Sequence, residues 1–155
     1  MKWGEYMNKK IIKKIVLLSL VIIMIIFLFK IFIPSYYTYN NEKLRISLKL
    51  PNYWRNRCIF KEENDSIYSY YISKESNKKA LLFAIVKLDS NDNPIDGEIY
   101  DSIGRDIIFH INGNRYRVGA TTDVGFPNDN IEYQNYIKMK SQISEIVKTM
   151  EISSN

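Results

Sequence analysis

Apolar residues fill one long block near the start of the chain. Between positions 15 and 33 only Ser19 and Lys30 interrupt the run. A helix of about 20 residues crosses the hydrocarbon core of a bilayer, and a segment that is apolar on all sides has no polar face to turn to water. The pattern therefore predicts a transmembrane helix over 15–33, with the lipid bilayer as its partner.

The residues that flank this block predict its orientation. Four lysines at positions 9, 10, 13 and 14 precede it, and three tyrosines at positions 36, 37 and 39 follow it. The positive-inside rule places the lysine side in the cytoplasm, and tyrosines are typical of the membrane–water interface. The predicted organisation is a cytoplasmic tail over 1–14, the anchor over 15–33, a linker over 34–41 and an extracytoplasmic domain over 42–155.

A cleaved signal peptide is the alternative for the same block, because it also has a basic start and an apolar core. Its core is usually 7–15 residues long and is followed by a pair of small residues. The run over 15–33 is longer, and Ser35 is the only small residue near its end. These two features favour an uncleaved anchor at the cell membrane.

Alternating apolar and polar residues predict strands in the outer domain. Leu44 to Leu50 alternates with period two and ends at Pro51, as expected of a strand with one buried face. Further strands are predicted over 58–61, 66–73 and 80–86. The last of these is apolar at every position, so both of its faces should be covered.

A hairpin and a helix complete the predicted domain. Strands over 106–111 and 115–120 flank Asn112-Gly113-Asn114, which suits a primed turn. A capping-box-like pair, Asp129 and Glu132, opens the last element. Its apolar residues recur at helical spacing: Tyr136, Met139, Ile143, Ile146, Val147 and Met150.

The predicted fold class is therefore α+β. An antiparallel sheet of about five to six strands is covered by a C-terminal amphipathic helix and preceded by one transmembrane helix. Within the sheet, alternation sends Tyr71 to the face opposite Tyr68 and Tyr70. At least one face must therefore carry tyrosine hydroxyls that need water or a partner.

Charge argues against a nucleic-acid partner. The net charge of +5 comes from the N-terminal segment, since the region after residue 33 holds 16 basic and 16 acidic residues. A neutral domain gains little from counterion release on a polyanion. The sequence predicts no nucleic-acid binding.

Motifs for chemistry are absent from the sequence. The single cysteine, Cys58, excludes a disulfide framework and a cysteine-based zinc cluster. Asp89, Asn91 and Asn93 start like a calcium loop, but Pro94 stands where that loop needs glycine and Tyr100 where it needs glutamate. No catalytic residue, metal site or cofactor is predicted, and the protein is not expected to be an enzyme.

One small polar group is a candidate for binding. In the predicted hairpin, His110 shares a sheet face with Arg115 and Arg117. A histidine and two arginines on one face can hold an anion or a partner. The predicted function is a non-catalytic binding or interaction module of the bacterial cell envelope, for an envelope protein or a small ligand. The alternative is a membrane-tethered hydrolase with a carboxylate site that the sequence does not identify.

Three short segments resemble small extracytoplasmic domains of Gram-positive bacteria, tethered by a lipid or a membrane anchor and many of uncharacterised function. They are 44–51 followed by Trp54, 80–86, and 115–123 before the terminal helix. A strand that ends in Pro51 with Trp54 three residues later also looks like the start of PsbP-like domains. That resemblance implies an antiparallel sheet sandwiched by helices, and it carries over no catalytic residue.

Overall fold

The structure is a computed structural model that describes residues 9–32, 35–103, 108–122, 125–128 and 131–153. The chain divides into two compact units, Met1–Ser35 and Tyr36–Asn155. Part of the predicted tail, residues 1–8, lies outside the described residues, as do the predicted cap Asp129 and the first two residues of the predicted strand 106–111.

The first unit contains helix α1, Lys9–Phe32. Every side chain that is described in it, over 11–26, is exposed. Among the residues that the structure describes, no helix is both long and apolar enough to cross a membrane. The predicted transmembrane helix is therefore not supported.

A three-stranded antiparallel sheet opens the second unit. Its strands are β1 (Tyr36–Asn41), β2 (Ile46–Pro51) and, at the other end of the chain, a two-residue strand (Glu151–Ile152). The order places β2 in the centre. A short 3-10 helix (Asn52–Asn56) follows β2 and buries Trp54 completely, as expected of a core aromatic residue.

A second antiparallel sheet has six strands. The strands are β3 (Cys58–Glu63), β4 (Ser66–Ile72), β5 (Lys79–Lys87), β6 (Asp101–Ser102), β7 (Ile108–Ile111) and β8 (Asn114–Ala120). In spatial order β3, β4, β5 and β8 pair as neighbours, and β6 and β7 share the edge of β8 that lies opposite β5.

The two faces of this sheet carry different residues, named here the first face and the second face. A bulge in β5 at Leu82 lies between the pairs Ser69–Phe83 and Tyr70–Leu81. It lets Leu82 and Phe83 both join the main core on the first face. The first face carries Ile67, Tyr71, Phe83, Ile85, Tyr116 and Val118, and the second face carries Tyr68, Tyr70, Leu81, Ala84 and Val86. The predicted separation of Tyr71 from Tyr68 and Tyr70 is confirmed.

Two helices, α2 (Ile131–Lys140) and α3 (Ile143–Lys148), pack on the first face. Five of the six apolar residues predicted at helical spacing are buried there, namely Tyr136, Met139, Ile143, Ile146 and Val147, and the sixth, Met150, is partly buried against the same core. The prediction of one continuous helix is wrong, because the chain turns at Ser141 and Gln142. The Gln142 side chain accepts a hydrogen bond from Trp54 Nε1 (3.1 Å), a distant partner that helical spacing does not reveal.

The structure confirms the α+β class and the hairpin. Ile111 pairs with Asn114, so Asn112 and Gly113 form a two-residue turn with φ of 49° and 76°. The chain forms two sheets where one was predicted. Strand β1 occupies the predicted linker 34–41 from Tyr36 onward, because Tyr37 and Tyr39 turn inward and pack against the core.

An irregular segment, 89–100, covers part of the second face. It is called the 89–100 connection below. Tyr100 is 7% exposed and joins the residues of the second face. Gly119 of β8 lies directly beneath it, since a Cβ atom there would be 2.4 Å from Tyr100 Cβ. The apolar stretch 80–86 of β5 therefore has helices on one side and this connection on the other, as its composition predicts.

Candidate functional site on the second face

Asp96 fixes the 89–100 connection to the sheet. Its Oδ2 accepts hydrogen bonds from the hydroxyls of Tyr68 (2.6 Å) and Tyr100 (2.7 Å), and its Oδ1 accepts one from the backbone N–H of Glu98 (3.0 Å). Burial raises the pKa of Asp96, but the two hydroxyl bonds and the backbone hydrogen bonds together outweigh burial, so the pKa lies below its usual range. Asp96 is therefore ionised at neutral pH.

The pKa values of the two tyrosines are shifted upward, opposite to that of Asp96. Burial and the Asp96 carboxylate raise the pKa of Tyr68 to about 12, and the same two causes raise the pKa of Tyr100. Both hydroxyls stay protonated and act as hydrogen-bond donors over the physiological range. The cluster of Asp96, Tyr68 and Tyr100 therefore anchors the connection and has no proton to exchange near neutral pH.

Arg115 forms the second attachment of the connection. Its Nη1 lies 2.8 Å from Asp92 Oδ1, and its Nη2 donates to the backbone carbonyl of Asp89 (2.7 Å). Both terminal nitrogens of the guanidinium thus bind the connection. Arg115, predicted as an anion contact, serves here to hold a loop on the sheet.

The residues that resemble the start of a calcium loop have a local role. Asp89 Oδ1 accepts the backbone N–H groups of Asn91 (2.8 Å) and Asn93 (2.9 Å), which lowers the pKa of Asp89. This is the Asx-turn use of aspartate. In the part of the chain that the structure describes, no group of three or more His, Cys, Asp or Glu residues is arranged to hold a metal ion.

Arg117 differs from Arg115 in its hydrogen bonding. Its Nε is buried and has no hydrogen-bond partner among the residues that the structure describes. It lines a cavity of about 350 Å³, called the Arg117 groove, between β8 and the 89–100 connection. The other lining residues are Asp92, Asn93, Pro94, Gly97, Glu98, Ile99 and Tyr100.

The register places the predicted anion-binding residues together. His110 pairs directly with Arg115 across β7 and β8, and Ile108 pairs with Arg117. Cross-strand partners share a face, so the predicted common face is present. The three residues nevertheless differ in use: Arg115 holds the connection, His110 is exposed near the turn, and Arg117 lines the groove.

A second cavity, of about 340 Å³, lies on the other side of Tyr100. It shares Glu98, Ile99 and Tyr100 with the Arg117 groove and adds the ring of Tyr70 and the carboxylate of Glu63. Ile99 is 91% exposed at the rim of both cavities. The two cavities therefore border one shallow surface with Tyr100 in its middle.

A buried ionic group on the first face was missed by the sequence analysis. The Glu132 carboxylate, 4% exposed at the start of α2, accepts from Arg57 Nη1 (2.8 Å), from the Tyr71 hydroxyl and from the backbone N–H of Lys74 (3.2 Å). Burial raises the pKa of Glu132, but these bonds together hold it below its usual range. Burial and Glu132 raise the pKa of Tyr71 to about 12.

This group attaches α2 to the sheet and has no cavity beside it among those described. The sequence signal that bears on it, the spacing of Asp129 and Glu132, predicts a helix cap. Glu132 instead reaches residues 58 and 75 positions earlier in the chain. Contacts between residues so far apart in the sequence cannot be predicted from local residue spacing.

Cys58 is an unreactive core residue. It is 8% exposed, its Sγ lies 3.1 Å from Ser69 Oγ, and burial raises the pKa of its thiol to about 12. A thiol reacts as the thiolate, so Cys58 stays unmodified while the domain is folded.

Comparisons with known proteins returned no match: no family model, no curated protein and no solved structure is similar to this chain at a significant level.

Proposed function

We propose that this protein is a single-pass, membrane-anchored binding module of the bacterial cell envelope. Its outer domain binds an anionic group of its ligand in the Arg117 groove and catalyses no reaction. The observation that carries the binding part of this proposal is that Arg117 lines a groove and that its buried Nε has no hydrogen-bond partner in the described part of the chain.

The sequence supports the anchor. The apolar run over 15–33 is of membrane-spanning length, and lysines at positions 9, 10, 13 and 14 precede it. The exposed apolar side chains over 11–26 need a cover other than water. A bilayer is the cover that fits an apolar surface on all sides of one helix.

The energetics of arginine support the anion. An unsatisfied buried donor costs about 1–3 kcal/mol, and a guanidinium pairs with carboxylate or phosphate through two parallel hydrogen bonds. Arg115 is already bound to Asp92 and the Asp89 carbonyl. Arg117 therefore has donors free for a ligand in the groove, whereas Arg115 does not.

The carboxylates favour binding over hydrolysis. A two-carboxylate hydrolase needs one carboxyl group with a raised pKa as the acid. Glu132 and Asp96 have lowered pKa values, and both are occupied by hydrogen bonds within the domain. Neither is suited to donate a proton at neutral pH.

A titration with simple anions tests the binding part. In the intact protein labelled with ¹⁵N-arginine, inorganic phosphate and acetate should shift the side-chain NMR signal of Arg117 in a saturable way. Arg117→Gln should abolish the saturable shifts. Arg55→Gln removes an exposed arginine elsewhere in the domain and should leave them unchanged. Absence of saturation in the unmodified protein, or equal loss in both variants, would refute anion binding by Arg117.

Thiol labelling of intact cells tests the anchor and its orientation. Because Cys58 is buried, Asn91→Cys supplies an exposed thiol in the 89–100 connection. A membrane-impermeant maleimide should label this variant in intact cells and should leave the unmodified protein unlabelled. Labelling of the variant only after cell lysis would contradict an extracytoplasmic domain.

A further inference from the structure

A third cavity lies at the opposite side of the domain from the 89–100 connection. It has a volume of about 390 Å³ and lies between the outer side of β1 and β2 and helix α3. This cavity is called the Tyr36 groove. Its lining residues are Tyr36, Lys49, Pro51, Gln142, Glu145, Ile146 and Thr149.

Exposed tyrosines border the groove. Tyr36 is 55% exposed and Tyr53 is 40% exposed, and the Tyr53 hydroxyl donates to the Gln142 side chain in the groove wall. Tyrosines whose hydroxyl group is hydrated and whose ring is accessible are enriched at the membrane–water interface.

The charges around the groove are mainly positive. Lys49 lines it, and Lys138 Nζ lies 5.1 Å from the centre of the Tyr53 ring. Glu145 is the acidic lining residue, and its carboxylate is bound to Lys148 (2.6 Å). Because Lys148 and Glu145 neutralise each other, the border presents two further positive charges, those of Lys49 and Lys138. This balance attracts a negatively charged surface.

Chain length limits the distance between the groove and the end of the apolar run. Tyr36, a lining residue, comes three residues after Ile33, where the apolar run ends. Three residues of chain span at most about 11 Å. A groove that begins at Tyr36 is therefore within reach of the headgroup layer whenever the run 15–33 occupies a bilayer.

We propose that the Tyr36 groove docks on the bilayer interface. Lys49 and Lys138 contact the phosphates of anionic phospholipids, while Tyr36 and Tyr53 lie among the headgroups. This inference rests on the anchor in the proposed function and is independent of the Arg117 groove. It fixes which end of the domain faces the membrane and leaves the 89–100 connection in water.

Spin-label accessibility in the intact chain tests this docking. Because the Cys58 thiol is buried, Glu145→Cys can carry a nitroxide in the groove with Cys58 retained, and Asn91→Cys carries the matched label on the second face. The protein is reconstituted in vesicles of phosphatidylcholine with 30% phosphatidylglycerol or of phosphatidylcholine alone. Molecular oxygen reports immersion in lipid, and a water-soluble nickel chelate reports exposure to water.

In the anionic vesicles, the label at position 145 should collide more with oxygen than with the nickel chelate, and the label at position 91 should show the reverse. Lys138→Gln should lower the ratio of docked to free domain about fivefold, the factor that corresponds to about 1 kcal/mol for one basic residue at an anionic surface. Lys61→Gln removes an exposed lysine from β3 and should not change the ratio.

Three outcomes would overturn the inference. A label at position 145 that is as accessible to water as the label at position 91, in a chain that floats with the vesicles, refutes docking and leaves the anchor intact. Equal immersion in both lipid compositions refutes recognition of anionic lipid. A chain that does not float with vesicles refutes the anchor, and docking with it.

Discussion

The two faces of the six-stranded sheet are covered by different means. The first face is closed by α2 and α3 through apolar side chains such as Met139, which is completely buried. The second face is partly closed by the 89–100 connection through hydrogen bonds and an ion pair, at Asp96 and Arg115. Among the described residues, the buried side-chain donors between the helices and the first face are all paired, whereas the buried Nε of Arg117 beside the groove on the second face has no partner.

This difference separates stability from binding within one domain. Burial of large apolar side chains supplies most of the free energy of folding, and the first face holds most of them. A loop that is held by a few hydrogen bonds opens at lower cost than the core. Ligand sites are commonly placed on such loops above a rigid sheet. The second face is therefore the side on which the domain can change without unfolding.

The largest effect on stability is expected from truncating a buried side chain of helix α2. Met139→Ala should lower the free energy of unfolding by about 2–5 kcal/mol, because it leaves a cavity in the first-face core. Gln134→Ala, at an exposed position of the same helix, should change it by less than about 0.5 kcal/mol. Urea unfolding of the intact chain, followed by tryptophan fluorescence, measures both. Equally small effects would mean that α2 is not part of the core.

A smaller, pH-dependent effect is expected at Glu132. Glu132→Gln should cost about 2–3 kcal/mol at pH 7, below the 3–5 kcal/mol of a fully buried pair, because Arg57 is partly exposed. The folded pKa of Glu132 lies below its usual value near 4.3. The stabilisation is therefore complete above that value and is lost as the pH falls through the folded pKa.

The difference between unmodified protein and Glu132→Gln should consequently narrow as the pH is lowered from 5 toward 2. Unfolding midpoints measured across this range check it. Glu42→Gln, at an exposed position, should follow the unmodified protein at every pH. A difference that stays constant with pH would show that the Glu132 carboxylate is not ionised in the folded domain.

The smallest effect is expected on the second face. Gly119→Ala places a methyl group against Tyr100 and should cost about 1–2 kcal/mol, the lower part of the range for overpacking. The 89–100 connection can move outward, so its amides should exchange hydrogen at least about tenfold faster while those of α2 keep their rates. Hydrogen exchange followed by mass spectrometry measures this. Faster exchange throughout the domain would show that the two faces unfold together.

The sequence predicts the first face well because its signals are local. The spacing of Tyr136, Met139 and Ile143 is helical, and each is buried. The hairpin follows from Asn112 and Gly113, whose positive φ angles the turn requires. Each of these features is determined by residues within a few positions of one another.

The features that the sequence does not predict depend on contacts between residues that are far apart in the sequence. The sequence predicts an interfacial position for the tyrosines at 36, 37 and 39. All three lie in β1, whose pairing with β2 holds Tyr37 and Tyr39 against the core. Their alternation with Thr38 and Asn40 was the available signal for a strand. The different roles of Arg115 and Arg117 depend on the path of the 89–100 connection. That segment has no hydrophobic periodicity from which its path could be predicted.

The short terminal strand has a consequence for the order of events during synthesis. Ile46 of β2 pairs with Ile152, and the backbone N–H of Ser153 donates to the carbonyl of Arg45 (3.0 Å). About a hundred residues separate the partners, so at typical elongation rates the N-terminal partner waits about 5–20 s for the other. The hairpin of β7 and β8 can form from neighbouring residues within microseconds. The three-stranded sheet is therefore completed only after Glu151 and Ile152 have been synthesised.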